Sequence, residues 1–232
     1  HGPDHRASVD ANRQLAALYV DLGRFSQAES IFLETFGWMR SRLDRNHPDL
    51  ARAYNSLAIV AWERGDITRA LDLQRQAVAA WKTGHNDALT AGGLFNLAMI
   101  LHSAGRDREA LPAVRESREL RVKQFGASHE LVGDSDHLLG EILAALGQPD
   151  AARAALQQAV RLTIAGYGPE HSHTRRAEVS LARLRAGEGA ADALLQLTAY
   201  GQPGDGDIEQ RKSSWLARAY AAEMECRTHP DS

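Results

Sequence analysis

The chain has almost no cysteine: Cys226 is the single example in 232 residues. One thiol excludes an internal disulfide framework and any cysteine cluster around zinc, and it suits a reducing compartment. Long apolar runs are missing as well. The longest candidate, 94-LFNLAMIL-101, falls well short of the ~20 residues that span a bilayer and contains Asn96, so it is expected to be a buried helix, with no membrane insertion. A basic excess is absent too. The 27 Lys and Arg against 30 Asp and Glu leave a formal charge of −3, which cannot drive the counterion release that nucleic-acid binding depends on. The chain starts at His1 without a charged-then-apolar leader; further sequence upstream is expected, and a cytoplasmic location.

Catalytic signatures are also lacking. There is no G-x4-G-K-[ST], H-E-x-x-H, G-x-S-x-G or dinucleotide glycine fingerprint. The stretch 129-HELVG-133 begins like a zinc helix but lacks its second histidine. Cys226 and His229 fall in the terminal 226-CRTHPDS-232, where nothing holds a base in geometry. No enzyme activity and no cofactor are therefore expected. One stretch argues the other way: 166-GYGPEHSHTRR-176 places Glu170, His171 and His173 within four residues, as a metal site would.

What is present is a repeat. The segments 15-LAALYVDLG-23, 57-LAIVAWERG-65, 97-LAMILHSAG-105, 139-LGEILAALG-147 and 181-LARLRAGEG-189 each run from Leu, through a small residue, to Gly. Their glycines are spaced 42, 40, 42 and 42 residues apart, and Ala28, Ala70, Ala110 and Ala152 follow the first four by five residues. The fifth copy has Leu194 in that slot. Apolar residues in 50-LARAYNSLAIVAW-62 recur at three- and four-residue steps, the mark of a helix with one buried face. The glycine ends that helix because it accepts a left-handed backbone without penalty. A second helical pattern follows, such as 67-ITRALDLQRQAVAAW-81. The small residues Ala16, Ala58, Ala98 and Gly140 are then the close-approach points of the first helix, and Ala28, Ala70, Ala110 and Ala152 those of the second.

The Leu–small–x2–Tyr spacing of 15-LAALY-19, with Gly and then Ala five later, resembles the tetratricopeptide repeat. The period near 42 and the Gly-Pro-Asp/Glu-His link are similar to the long variant found in kinesin light chains. HEAT and armadillo repeats share the period but do not explain the Gly-x4-Ala register. The resemblance implies an all-α, right-handed helix-turn-helix solenoid over residues 1–200, with repeats at about 6–44, 47–83, 86–125, 129–167 and 171–200. Asp107 and Ala191 depart from the aromatic that the family places after the glycine. A turn-rich spacer, 201–207, leads to an amphipathic segment, 208–226, whose Trp215, Leu216, Ala219 and Tyr220 are expected to cap the array; 227–232 is a frayed tail.

The repeat also reassigns the histidines. His5, His47, His129 and His171 all stand ten residues before the key Leu, where the next helix begins, and repeat three has Asp87 there. Pro48, directly after His47, supports a helix start. These histidines are expected to be caps or packing wedges between repeats. Asp49, Leu89 and Leu131 replace His173 elsewhere, and side chains two apart on a helix face different ways, so no metal is expected. The mixed charges of 106-RDREALPAVRESRELRVK-123 mark a solvated outer face.

By the same resemblance, the first helices line a concave groove that takes an extended or helical segment of a partner. Family positions carried over give Arg13, Gln14 and Ala17 in repeat one and Arg52, Asn55, Ser56, Ile59 and Trp62 in repeat two. Repeat three contributes Asn96, Met99 and His102; repeats four and five contribute Asp134, His137, Glu141, Arg176, Ser180 and Arg183. Asn55 and Asn96 resemble asparagines that hold partner backbone, since an amide offers both donor and acceptor. Ile59, Trp62 and Met99 would form an apolar pocket, with Arg13 and Arg52 supplying charge for an acidic group. The two-lysine carboxylate clamp of chaperone-binding members is not reproduced. The expected function is a non-catalytic protein- or peptide-binding scaffold within a larger signalling protein. Self-association through exposed end repeats is the alternative, and an enzyme with an unrecognised site the remote one.

Overall fold

A computed structural model describes residues 6–44, 47–189 and 193. Among them are nine helices and no strand: α1 (Arg6–Asp21), α2 (Phe25–Arg40), α3 (Pro48–Glu63), α4 (Ile67–Thr83), α5 (Asp87–Ser103), α6 (Asp107–Phe125), α7 (Glu130–Ala145), α8 (Pro149–Tyr167) and α9 (Ser172–Gly187). These are four helix pairs and the first helix of a fifth, an all-α repeat-solenoid fold. Apart from Ala193, the second helix of repeat five, the spacer 201–207, the capping segment 208–226 and the tail 227–232 lie outside the described residues. The chain divides into two compact bodies, His1–Leu120 and Arg121–Ser232. Among the described residues no helix is long and apolar enough to cross a membrane.

The glycine spacing marks real turns. Gly23, Gly65, Gly105, Gly147 and Gly189 all have positive φ, between 69° and 90°. In the first four, the residue after glycine donates back to the carbonyl five residues earlier, as in Arg24 N to Tyr19 O at 2.7 Å. That 6→1 bond satisfies a carbonyl the helix end would otherwise leave open.

The small residues form the seams. Ala16, Ala58, Ala98, Ala28, Ala70, Ala110 and Ala152 have no exposed surface. In the N-terminal body, Ala16, Ala28, Phe32, Leu57 and Val60 share one core cluster, with Tyr19, Phe25 and Ile31 packed against it. In the C-terminal body, a Cβ placed on Gly140 would lie 2.6 Å from Leu156 Cγ, so α7 and α8 approach more closely than alanine allows. On α6, Arg108, Glu109, Arg115 and Glu119 are exposed, which is the solvated face expected from the mixed charges.

Three of the linking histidines, His47, His129 and His171, are N-caps, and His5 lies outside the described residues. His47 Nδ1 accepts from Asp49 N at 3.2 Å, His129 Nδ1 from Leu131 N at 3.2 Å, and His171 Nδ1 from His173 N at 3.3 Å. Each meets one of the four amides that a helix start leaves unpaired. Two are also wedges: His129 stacks on Phe125 and His171 on Tyr167, both at 4.6 Å between ring centroids. Repeat three, whose glycine-to-glycine period is two residues shorter, differs: Asp87 opens the helix and Asn86 is the cap, accepting from Leu89 N at 3.0 Å.

Candidate functional site

Repetition stacks α3 and α5 side by side in the N-terminal body, so residues about 41 apart become neighbours. Asn96 Nδ2 donates to Asn55 Oδ1 at 3.0 Å. The wholly buried Gln74 of α4 reaches the same oxygen with Nε2 at 3.0 Å and also donates to Gly93 O at 2.9 Å. Asn55 is thereby held from two sides. Among the described residues its Nδ2 group and Asn96 Oδ1 carry no hydrogen bond, which leaves one donor group and one acceptor beside each other on half-buried side chains.

The other candidates in this body are partly engaged. Trp62 donates its indole Nε1–H to Ser103 Oγ at 2.9 Å, spanning the same α3–α5 step. His102 Nδ1 is paired with Asp107 at the start of α6. Ile59 and Met99 are half-buried.

Arg13 and Arg52 do come together, at a cavity of about 360 Å³ to which α1, α2 and α3 all contribute. The apolar part of its lining is Val9, Phe32, Trp38, Met39, Leu43 and Ala53, and Ile59, Trp62 and Met99 are not in it. The family register carries over first-helix positions, whereas Phe32, Trp38 and Met39 belong to the second helix of repeat one. Their apolar spacing was visible in the sequence, but nothing in it distinguished pocket lining from seam packing. Thr35, also in the lining, is buried with its Oγ1 unpartnered among the described residues. Asp49, in the same lining, lies 3.6 Å from Arg52 as an i,i+3 ion pair.

His137 lies in the other body and belongs to a different arrangement. There Asp134, almost fully buried on α7, accepts from Tyr167 OH at 2.8 Å and contacts His173 Nδ1 at 2.8 Å. Arg121, also buried, donates to Leu131 O at 2.7 Å and Ser135 Oγ at 3.1 Å. Burial pushes the Asp134 carboxyl up. The hydrogen bond and charge of His173, the Tyr167 hydroxyl and the Arg121 charge outweigh it, and the group is held below the usual carboxylate range. Burial and donation to Asp134 push the Tyr167 phenol well above its usual range, while burial draws the Arg121 guanidinium down. His137 Nε2 meets Ser180 Oγ at 2.9 Å, and Ser180 bonds Glu141 Oε1 at 3.1 Å.

The nine candidate residues divide between the two bodies, eight in the N-terminal one and His137 in the C-terminal one. Asn55 and Asn96 meet, Arg13 and Arg52 meet, and His137 is spent within its own body. His173 is the clearest gap in the sequence reading: it looked like an incidental neighbour of His171, yet it is the partner of Asp134. Its ring is 5.3 Å from that of His171, and among the described residues no group of three His, Cys, Asp or Glu is placed to hold a metal ion.

Comparison with known proteins adds to this geometry. The tetratricopeptide repeat family matches residues 1–83 and 87–165. A clustered mitochondria protein homolog from Brugia malayi is 27% identical over 202 residues, covering 84% of this chain and 14% of that protein. A homolog from Aspergillus niger is 27% identical over 85 residues, covering 36% of this chain and 7% of that protein. The chain thus spans a small part of the length of the curated relatives it matches. Among solved structures, kinesin light chain-like repeats from Podosopora anserina align with a TM-score of 0.68 at 19% identity, covering 97% of this chain and 98% of that one. BtubC (BKLC) from P. vanneervenii aligns at 0.70 and 19% identity, covering 94% and 82%. A Rap protein complexed with competence and sporulation factor aligns at 0.67 and 13% identity, covering 94% and 57%.

Proposed function

We propose that this chain, which belongs to the tetratricopeptide repeat family, is a non-catalytic scaffold that binds an extended peptide segment, as a regulatory part of a larger signalling protein. The observation that carries the reading is the paired amides of Asn55 and Asn96, 3.0 Å apart, with an unspent donor group and an unspent acceptor among the described residues. That pair can hydrogen-bond a peptide backbone as a neighbouring strand would. The cavity at Arg13 and Arg52 takes a side chain that is apolar in body and acidic at its tip or beside it. Its volume of about 360 Å³ is in the range of small pockets that bury one large group. The solved Rap protein complexed with competence and sporulation factor supports a fold of this kind holding a bound factor. Capture from a random peptide library tests it: Asn55→Ala with Asn96→Ala is expected to cut retention about tenfold, the worth of one or two hydrogen bonds. Undiminished capture refutes the reading.

A second reading, self-association, is favoured by exposed leucines in the last turns of α1 and just after it. Leu15, Leu18 and Leu22 are 42%, 52% and 57% exposed, whereas the equivalents of the first two in α3, Leu57 and Val60, are 3% and 1% exposed. Sedimentation over a concentration series tests it, and a monomer at high concentration counts against it.

A further inference from the structure

Gln74 is the exception in its register. It stands four residues after Ala70, and the same slot holds Phe32, Val114 and Leu156 in repeats one, three and four. All four are buried: Gln74 is 0% exposed, and the other three are 5%, 0% and 1% exposed. Elsewhere the slot is core, and an apolar residue fills it. Gln74 brings an amide there instead, and its Oε1 is buried without a partner among the described residues. A buried acceptor left open lowers stability, so packing does not account for this residue.

The orientation of that amide is set by a backbone carbonyl. Gln74 Nε2 on α4 donates to Gly93 O on α5 at 2.9 Å. The two helices come close here, because a Cβ on Gly93 would lie 2.6 Å from Trp81 Cζ3, two turns along α4 from Gln74. A carbonyl oxygen only accepts, so Gln74 must turn its NH2 group toward Gly93. The same group donates to Asn55 at 3.0 Å, which requires Asn55 to present Oδ1. That oxygen also accepts from Asn96 Nδ2 at 3.0 Å. Each amide in the series thus fixes the next. Without Gln74, the Asn55–Asn96 pair has two forms of similar energy, with either residue as the donor.

We propose that Gln74 is a positioning residue that fixes the polarity of this pair, so that the ligand face offers a donor from Asn55 on α3 and an acceptor from Asn96 on α5, never the reverse. The proposal rests on the peptide-binding reading above. It adds a specificity that the pair alone lacks: the bound segment must bring a C=O to Asn55 and an N–H to Asn96.

Gln74→Met tests it, since an unbranched thioether of similar length fills the slot without an amide. The probes are a peptide captured from the random library and its retro-inverso analogue, built of D-residues in reversed order. The analogue keeps the side-chain order and exchanges every backbone N–H for C=O. In Gln74→Met the pair takes both polarities, so the captured peptide is expected to weaken about twofold and the analogue to gain. The ratio of their Kd values should narrow by about tenfold, the worth of one hydrogen bond. A residue needed only for packing would weaken both alike, and an unchanged ratio overturns the proposal. Exchange of side-chain amide hydrogens with water, on the 232-residue chain, gives a check that needs no ligand. In the parent, the Asn55 NH2 group is expected to exchange faster than those of Gln74 and Asn96. In Gln74→Met, the rates for Asn55 and Asn96 should converge. An Asn55 group in the parent as protected as that of Gln74 overturns the fixed polarity. A parent that captures no peptide refutes the peptide-binding reading alone, and the exchange rates still decide the polarity.

Discussion

Replacing Gly140 with alanine sets helix propensity against packing. Gly140 lies inside α7, where alanine is favoured over glycine by about 1 kcal/mol. Alanine also fills the equivalent position in the four other repeats, as Ala16, Ala58, Ala98 and Ala182, so the pattern of the sequence predicts stabilisation. Packing predicts the reverse. A Cβ there meets Leu156 Cγ at 2.6 Å and Cδ2 at 2.8 Å, with Ala152 O at 3.2 Å. Leu156 is fully buried and cannot swing aside, so α7 and α8 must separate, at a cost of about 1–3 kcal/mol. The net expectation is about 0–2 kcal/mol of destabilisation, opposite in sign to the propensity argument. Repeat three carries Ala98 and Val114 at the corresponding positions, so Leu156→Val should make room for the new methyl. A double-mutant cycle, read as urea midpoints from exchange at α7 and α8 amides, should give a favourable coupling of about 1 kcal/mol. A single variant at least as stable as the parent, or a coupling near zero, refutes the steric reasoning.

Two further outcomes follow from the caps and the buried carboxylate. His171→Ala should cost about 0.5–2 kcal/mol in urea unfolding, while His171→Asn should recover most of it because Asn86 does the same task in repeat three; an asparagine as damaging as alanine would show that capping is not the role. Asp134→Asn replaces one of the two carboxylate oxygens that meet Tyr167 and His173 with a donor NH2 group and removes the negative charge beside buried Arg121, an expected loss of about 3–5 kcal/mol at pH 7. Because the Asp134 carboxyl is held below its usual range, its contribution is present above about pH 3.9 and fades as pH falls through the folded value. The gap in thermal midpoint between parent and variant should therefore narrow toward pH 3. A gap that is constant with pH would mean the carboxylate charge is not what matters.

Much of the fold was legible because a repeat is a local property. A glycine every 40 to 42 residues and an alanine five later mark where each helix must stop and where the next must come close, and the positive φ at the five glycines and the buried alanines are the physical content of that register. The histidine caps were legible for the same reason, since a cap involves an atom only two residues away. The pairing of Asn55 with Asn96 was not, although both had been singled out, because it depends on how closely α3 and α5 lie across the seam. Nor was the lining of the Arg13–Arg52 cavity, which α2 supplies from a helix that the register assigns to packing. His173 shows the limit most plainly. Beside His171 in sequence it suggested a metal ligand, and against the register an incidental residue. Its actual role was set 39 residues away by a buried carboxylate. Sequence alone determined the class, the period and the helix ends, which depend on short-range backbone chemistry. Tertiary structure alone decided which polar side chains satisfy each other across the seams, because that depends on the spacing of packed helices, which a one-dimensional period does not contain.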